Sequence, residues 1–111
     1  MIMNISKLPI KNLPESERPY EKCQKLGVKA LSDAELLAVI IKTGTKNIRS
    51  TELALHILNL CAQKGGLSGL CHLTLSDLQK VKGIGKVKAI QVLCAAELSI
   101  RISASAAAGK L

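Results

Sequence analysis

The residues whose types and spacing most clearly suggest ligand binding are two glycines and three lysines in one short turn, residues 81–89 (VKGIGKVKA). Glycines at this spacing let a backbone turn tightly and leave no Cβ in the way of an approaching group. A helix is predicted to begin at Lys86, so the N–H groups of its first turn would lie at the positive end of the helix dipole. Phosphate is the natural ligand of such a turn.

The local charge agrees with an anion site, because residues 80, 82, 86 and 88 are lysines and no acidic residue lies between Asp77 and Glu97. The predicted backbone N–H donors are those of Gly83, Ile84, Gly85, Lys86 and Val87, with Lys82 and Lys88 as electrostatic support. A plainer interpretation is a tight corner between two helices whose lysines are only solvated charges.

A weaker second turn of the same layout covers residues 43–49 (TGTKNIR). It lies between two predicted helices and carries basic residues without acidic neighbours, although it has a single glycine and is longer. Its candidate phosphate-binding residues are Gly44, Thr45, Lys46 and Arg49. Two helix–turn–helix units of this kind would pack as a pseudo-symmetric four-helix domain.

Helix start and stop signals predict an all-α fold of about five helices. The predicted helices are 20–26, 33–42, 51–62, 74–81 and 86–101. Ser32 and Glu35 form a capping box at the second of them, and Gly27 ends the first. No segment shows the sustained alternation of a β-strand.

Apolar residues fall on one side of the two longest predicted helices. The expected faces are Leu53, Ala54, Ile57, Leu58 and Cys61 in one helix, and Val87, Ile90, Leu93, Cys94 and Leu98 in the other. All three prolines lie within residues 1–19, which predicts an extended arm over 1–18 followed by a helical domain over 19–102. The Ser/Ala-rich residues 103–111 are expected to form a linker or tail.

The composition limits the classes of binding partner that the chain can have. The 111 residues carry a net charge of +8, which favours a polyanion such as nucleic acid or an anionic membrane. No uninterrupted apolar run has the length of a membrane span, and no signal peptide is recognisable, so a cytoplasmic protein without membrane contact is expected. Tyr20 is the only aromatic residue, which excludes a base-stacking platform for single strands.

The sequence gives little support for a catalytic site or a metal site, so we expect no enzymatic activity and no cofactor. His56 and His72 have no motif partners, and a base-excision role for Lys86 or Lys88 would need a pocket for a flipped base, normally lined with aromatic residues. A zinc site can be written from Cys61, Cys71, His72 and Cys94, but their spacing lacks the short ligand pairs of closed zinc sites. Reduced thiols, mostly buried, are the favoured interpretation.

The turn at residues 81–89 resembles the helix-hairpin-helix motif, through Leu78, Val81, the Gly-Ile-Gly at 83–85 and the small Ala89. That resemblance implies a grip on the DNA phosphate backbone without base reading, in a tandem helix-hairpin-helix fold that straddles the minor groove. It also implies a monovalent cation held by the carbonyls of Gln79, Val81 and Ile84.

The resemblance extends further, because residues 13–22, 31–38, 43–45 and 82–85 are similar to the N-terminal region of bacterial RadC-like proteins. In that family a metalloprotease-like JAB/MPN domain follows, with a His-x-His and an Asp as zinc ligands. This chain lacks those ligands, which makes it an N-terminal fragment of a longer protein by this resemblance. The family was named for a role in DNA repair.

The combined expectation is non-sequence-specific binding of double-stranded DNA through its backbone phosphates. The alternative is a helical module for protein–protein interaction or regulation, in which the positive charge provides solubility or attracts an acidic protein. The degenerate turn at 43–49 favours that alternative.

Overall fold

The computed structural model describes residues 18–42 and 50–109, and these residues are helical with no β-strand among them. The α-helices are α1 (Pro19–Leu26), α2 (Asp33–Ile41), α3 (Ser50–Ala62), α4 (Leu75–Gln79) and α5 (Lys86–Ala107), with 3₁₀ turns at Val28–Ala30 and Leu67–His72. The all-α prediction with about five helices is confirmed. The predicted arm over residues 1–18 lies almost wholly outside the described residues, as does the turn at 43–49.

The chain divides into two compact units between Ala54 and Leu55, within α3. In the first unit, α1 begins with Pro19 in its first turn and ends at Gly27, whose φ of +90° suits a residue without a side chain. The predicted capping box at α2 is present, since Ser32 and Glu35 each accept a hydrogen bond from the other's backbone N–H. An ion pair of 3.2 Å between Lys22 and Glu35 links α1 to α2.

In the second unit, a glycine-rich segment turns the chain after α3. Gly65 and Gly66 have positive φ values, and the N–H of Gly66 donates to the carbonyl of Cys61 over 3.0 Å. A Cβ added at Gly69 would lie 2.7 Å from that same carbonyl oxygen, so only glycine fits there. This close approach leads into the 3₁₀ turn at Leu67–His72, which, like α4, packs against α5.

The apolar face predicted for α3 is confirmed, because Leu53, Ala54, Ile57 and Cys61 are buried and Leu58 is half-buried. The predicted face of α5 is wrong. Its buried residues are Ala89, Val92 and Ala96, whereas Val87, Ile90, Cys94 and Leu98 are exposed and only Leu93 of the predicted face is half-buried. Small side chains let α4 and the 3₁₀ turn approach α5 closely, so the helix packs through its narrow face and leaves its bulky face to solvent.

The last helix also continues past its predicted end at Arg101 to Ala107. Alanine has the highest helix propensity, so the Ala-rich sequence extends the helix where a linker or tail was expected. By length and composition α5 is the one helix of the described ranges that could cross a bilayer, a criterion that core helices of soluble proteins also meet.

Candidate phosphate-binding turn

The turn between α4 and α5 is anchored at both ends. Thr74 caps α4, since its hydroxyl accepts the N–H of Asp77 over 3.0 Å while the carboxylate accepts the N–H of Thr74 over 2.9 Å. These hydrogen bonds, with smaller contributions from Lys64 and Lys80, hold the pKa of Asp77 below its ordinary value. Leu78 and Ile84 are buried on either side of the turn. The loop between Leu78 and Ile84 is therefore held at both ends by buried side chains.

The two glycines of the turn have different roles. Gly83 has a φ of +98°, a conformation that favours glycine strongly. Gly85 has a φ of −87° that any residue adopts, and a Cβ built there would meet no atom within 4 Å. The expectation that both glycines are needed for unusual backbone angles is therefore wrong for Gly85. Its lack of a side chain leaves open space in front of α5.

The start of α5 presents backbone donors without a cap. Gly85 is the N-cap residue and has no side chain with which to accept a hydrogen bond, and no acidic residue lies in the first turn. The first helical bond joins the N–H of Ala89 to the carbonyl of Gly85 over 3.1 Å. The N–H groups of Lys86, Val87 and Lys88 therefore have no partner within the helix.

The lysines of the turn flank these donors in sequence. Lys82 and Lys86 are exposed and Lys88 is half-buried, while Ala89 behind them is fully buried. The N-terminal end of the helix dipole is also positive, so it adds to the positive potential of the lysines. The arrangement can hold an anion with several backbone donors.

The backbone N–H of Ile84, one of the predicted phosphate donors, already has a partner within the turn. The N–H of Ile84 donates to the carbonyl of Val81 over 3.0 Å, and the Ile84 side chain is buried. Ile84 therefore anchors the turn rather than donating to a ligand. The same hydrogen bond occupies the Val81 carbonyl, one of the three that the family resemblance assigned to a cation.

The second predicted turn, with Gly44, Thr45, Lys46 and Arg49, lies outside the described residues. Just before it, the Nζ atom of Lys42 lies 4.3 Å from the centre of the Tyr20 ring, a cation–π contact between α1 and the end of α2. Sequence reasoning did not find this contact. The two residues are far apart in sequence, and only the packing of α1 on α2 brings them together.

The four ligands of the zinc alternative lie among the described residues, and no group of three or more potential metal ligands is found there. The four cysteines are free, and Cys61 is buried, Cys23 and Cys71 are half-buried and Cys94 is exposed. The expectation that Cys94 is a core residue is therefore wrong. Burial raises the pKa of Cys61, which keeps it a neutral core thiol.

Comparison with known proteins places the chain in a family. Residues 10–90 match the family model described as UPF0758 N-terminal. A UPF0758 protein of Alkaliphilus oremlandii is 49% identical over 96 residues, which are 86% of this chain and 40% of that protein. A UPF0758 protein of Clostridium botulinum strain Hall is 47% identical over 92 residues, 83% of this chain and 39% of that protein.

The chain thus spans about two-fifths of the length of these curated relatives. No solved structure matches it. The family match covers most of the chain and includes α1 to α4, the lysine-rich turn and the first residues of α5. The chain therefore belongs to the UPF0758 family of RadC-like proteins, in which it corresponds to the N-terminal domain.

Proposed function

We propose that this domain binds double-stranded DNA through the phosphate backbone, as a helix-hairpin-helix module without catalytic activity. The observation that carries the proposal is the start of α5 at Gly85, which has no side-chain cap, is open to solvent and is flanked in sequence by Lys82, Lys86 and Lys88. Backbone N–H groups at a helix N-terminus bind phosphate through both hydrogen bonds and the helix dipole.

The donor set favours a phosphate backbone over the bases. The N–H groups of Gly85, Lys86, Val87 and Lys88 are fixed to the main chain and cannot reach deep into a groove. Contacts of this kind position a protein on nucleic acid and carry no sequence information. The net charge of +8 adds attraction at longer range.

Duplex is favoured over single-stranded nucleic acid by the lack of aromatic rings. Tyr20 is the only aromatic residue in the chain, and its ring face carries the Nζ atom of Lys42 at 4.3 Å. Unpaired bases gain affinity by stacking on aromatic side chains, a contribution that this protein lacks.

The proposal retains the second turn as a weaker clamp, formed by Gly44, Thr45, Lys46 and Arg49. Two clamps would hold the two strands of one duplex, as the resemblance to tandem helix-hairpin-helix domains implies. A role in DNA repair belongs to the proposal on the strength of the resemblance to RadC-like proteins, and a cytoplasmic location on the strength of the sequence, in which no signal peptide is recognisable.

The decisive experiment compares two variants of equal net charge. The Lys82→Glu/Lys86→Glu variant and the Lys25→Glu/Lys29→Glu variant each lower the net charge from +8 to +4, because every substitution removes two charges. Lys25 and Lys29 are exposed and lie away from the turn in sequence, in the first unit. Binding to a fluorescent duplex of random sequence is measured by anisotropy, with circular dichroism as the folding control.

We expect the turn variant to bind about tenfold more weakly than the control variant, since a charge-assisted hydrogen bond is worth about 1.5–3 kcal/mol. Gly85→Val should weaken binding similarly and leave the helical spectrum unchanged, because its Cβ meets no atom within 4 Å. Equal weakening by both double variants would overturn the proposal, because binding would then follow the net charge alone. Equally weak binding by the wild-type chain and the turn variant would favour the protein–protein alternative, in which the charge serves solubility.

A further inference from the structure

Lys64 connects three neighbouring segments of the second unit. It lies just after α3, and its Nζ atom donates a hydrogen bond of 3.5 Å to the carbonyl of His72, the last residue of the 3₁₀ turn. The same Nζ atom lies 3.9 Å from Oδ2 of Asp77, in the first turn of α4. One ammonium group therefore links the end of α3, the end of the 3₁₀ turn and the start of α4.

The backbone and the side-chain stem of Lys64 are held in place by the glycine-rich segment. The N–H of Lys64 donates to the carbonyl of Cys61 over 2.8 Å. A Cβ added at the buried Gly69 would lie 2.9 Å from the Cβ of Lys64, so only glycine lets the 3₁₀ turn pack this closely. A stem that is already ordered loses less conformational entropy when its charged end forms an ion pair.

The partner of Lys64 is an unusual residue for this part of the sequence. Asp77 is the only acidic residue between Glu52 and Glu97. Its Oδ2 atom accepts the N–H of Thr74 over 2.9 Å, one of the two hydrogen bonds of the capping box at α4. Because the charge of Lys64 acts on this same oxygen atom, it stabilises the ionised carboxylate that caps α4.

The position of α4 in turn determines that of the lysine-rich turn. The helix has only five residues, too few to be stable without tertiary contacts. The turn follows its last residue directly, and the N–H of Val81 donates to the carbonyl of the buried Leu78 over 3.1 Å. Lys64 acts at the opposite end of α4, so it can fix the helix while lying away from a phosphate at the start of α5.

We propose that Lys64 is a positioning residue for the phosphate-binding turn. Through Asp77 it fixes the start of α4, and with it the turn, without itself contacting DNA. The inference rests on the proposed DNA binding, but one of its two tests contains no DNA, so that the two proposals can fail separately.

Amide hydrogen exchange, measured by NMR on the protein without DNA, tests the positioning. The N–H groups of Val81 and Ile84 are hydrogen-bonded within the turn. In Lys64→Met they should exchange about two- to fivefold faster, the range expected when an ion pair of partly exposed side chains is lost. The control is Lys25→Met, which removes the same charge from an exposed lysine of the first unit and should leave both rates unchanged. Equal rates in the two variants would overturn the inference.

Binding to the random-sequence duplex tests the consequence for function. Lys64→Met should bind about two- to fivefold more weakly than Lys25→Met, which has the same net charge. Lys64→Arg keeps an ion pair with Asp77 and should bind like the wild-type chain. In an Asp77→Asn background, which removes the charged partner, the difference between the two methionine variants should largely disappear. Circular dichroism checks that every variant keeps the wild-type helix content.

The outcomes separate this inference from the proposed function. A wild-type chain that binds no duplex would overturn the proposed function and leave hydrogen exchange to decide whether Lys64 positions the turn. Wild-type binding with equal affinities for Lys64→Met and Lys25→Met would overturn the inference alone. A salt slope shallower by about 0.9 in Lys64→Met than in Lys25→Met would also overturn it, because Lys64 would then contact a phosphate directly.

Discussion

The carboxylate of Glu35 both caps α2 and links that helix to α1. It accepts the N–H of Ser32 over 2.9 Å and lies 3.2 Å from the Nζ atom of Lys22 on α1. Burial raises the pKa of Glu35, but the hydrogen bonds from Ser32 and Lys22 and the charge of Lys22 outweigh it and hold the pKa below the ordinary 4.5. The folded state therefore favours the ionised carboxylate. Its contribution to stability is present above the unfolded pKa and is lost as pH falls through the folded pKa.

Glu35→Gln keeps an oxygen for the capping box but loses the charge that faces Lys22, so it should destabilise the protein at pH 7 by about 0.2–1 kcal/mol. Urea denaturation followed by circular dichroism measures the difference at pH 7 and at about pH 3, where it should shrink because the wild-type carboxyl is becoming protonated. Asp33→Asn is the control, since Asp33 also lies in the first turn of α2 and shows no such contacts. A difference that does not change with pH would contradict the assigned role of the charge.

At the level of elements, short-range signals predicted helix starts well. The capping box of Ser32 and Glu35 at α2 was predicted and is present, whereas α4, predicted over 74–81, spans Leu75–Gln79 and is capped by Thr74 and Asp77 in a box that was not predicted. A capping box is encoded within four consecutive residues. The lysine-rich turn was also recognisable, because the backbone freedom of glycine and the positive charge of lysine do not depend on the surrounding structure. These features depend on neighbours in sequence.

Features that depend on tertiary packing were not predictable in the same way. Helix α5 has apolar residues on two opposite faces, and periodicity cannot decide which of them faces α4. The bulky face was expected inside, and the small face of Ala89, Val92 and Ala96 is buried instead. The hydrogen bond from Ile84 to Val81 and the contact between Tyr20 and Lys42 likewise follow from the path of the chain.

The two glycines of the turn should respond differently to alanine. Gly83→Ala forces a side chain into a φ of +98° and should cost about 1–2 kcal/mol. Gly85→Ala should change stability by less than about 1 kcal/mol, since its φ of −87° suits alanine and alanine restricts the unfolded chain, while alanine is a poorer N-cap residue than glycine. Thermal and urea denaturation of both variants measure this difference. Equal losses of stability would mean that the turn has a different conformation in solution.

For the whole molecule, the charge of α5 is concentrated at its start. The proposed phosphate-binding turn lies at this lysine-rich end, and the helix from residue 90 to Ala107 carries only Glu97 and Arg101, which pair with each other. DNA binding through the turn should therefore depend strongly on salt. A salt series of the binding constant measures this dependence.

The slope of that salt dependence gives the number of phosphates contacted. With about four phosphates neutralised, log K should fall with log salt at a slope near −3.6, roughly a hundredfold loss of affinity between 50 and 200 mM. The Lys82→Glu/Lys86→Glu variant should lose about two contacts and approach a slope of about −1.8. Lys25→Glu/Lys29→Glu should keep the wild-type slope, because it lowers the overall charge without removing a contact. Equal slopes for the two variants would mean that the protein attracts DNA through its net charge alone, with no phosphate bound at the start of α5.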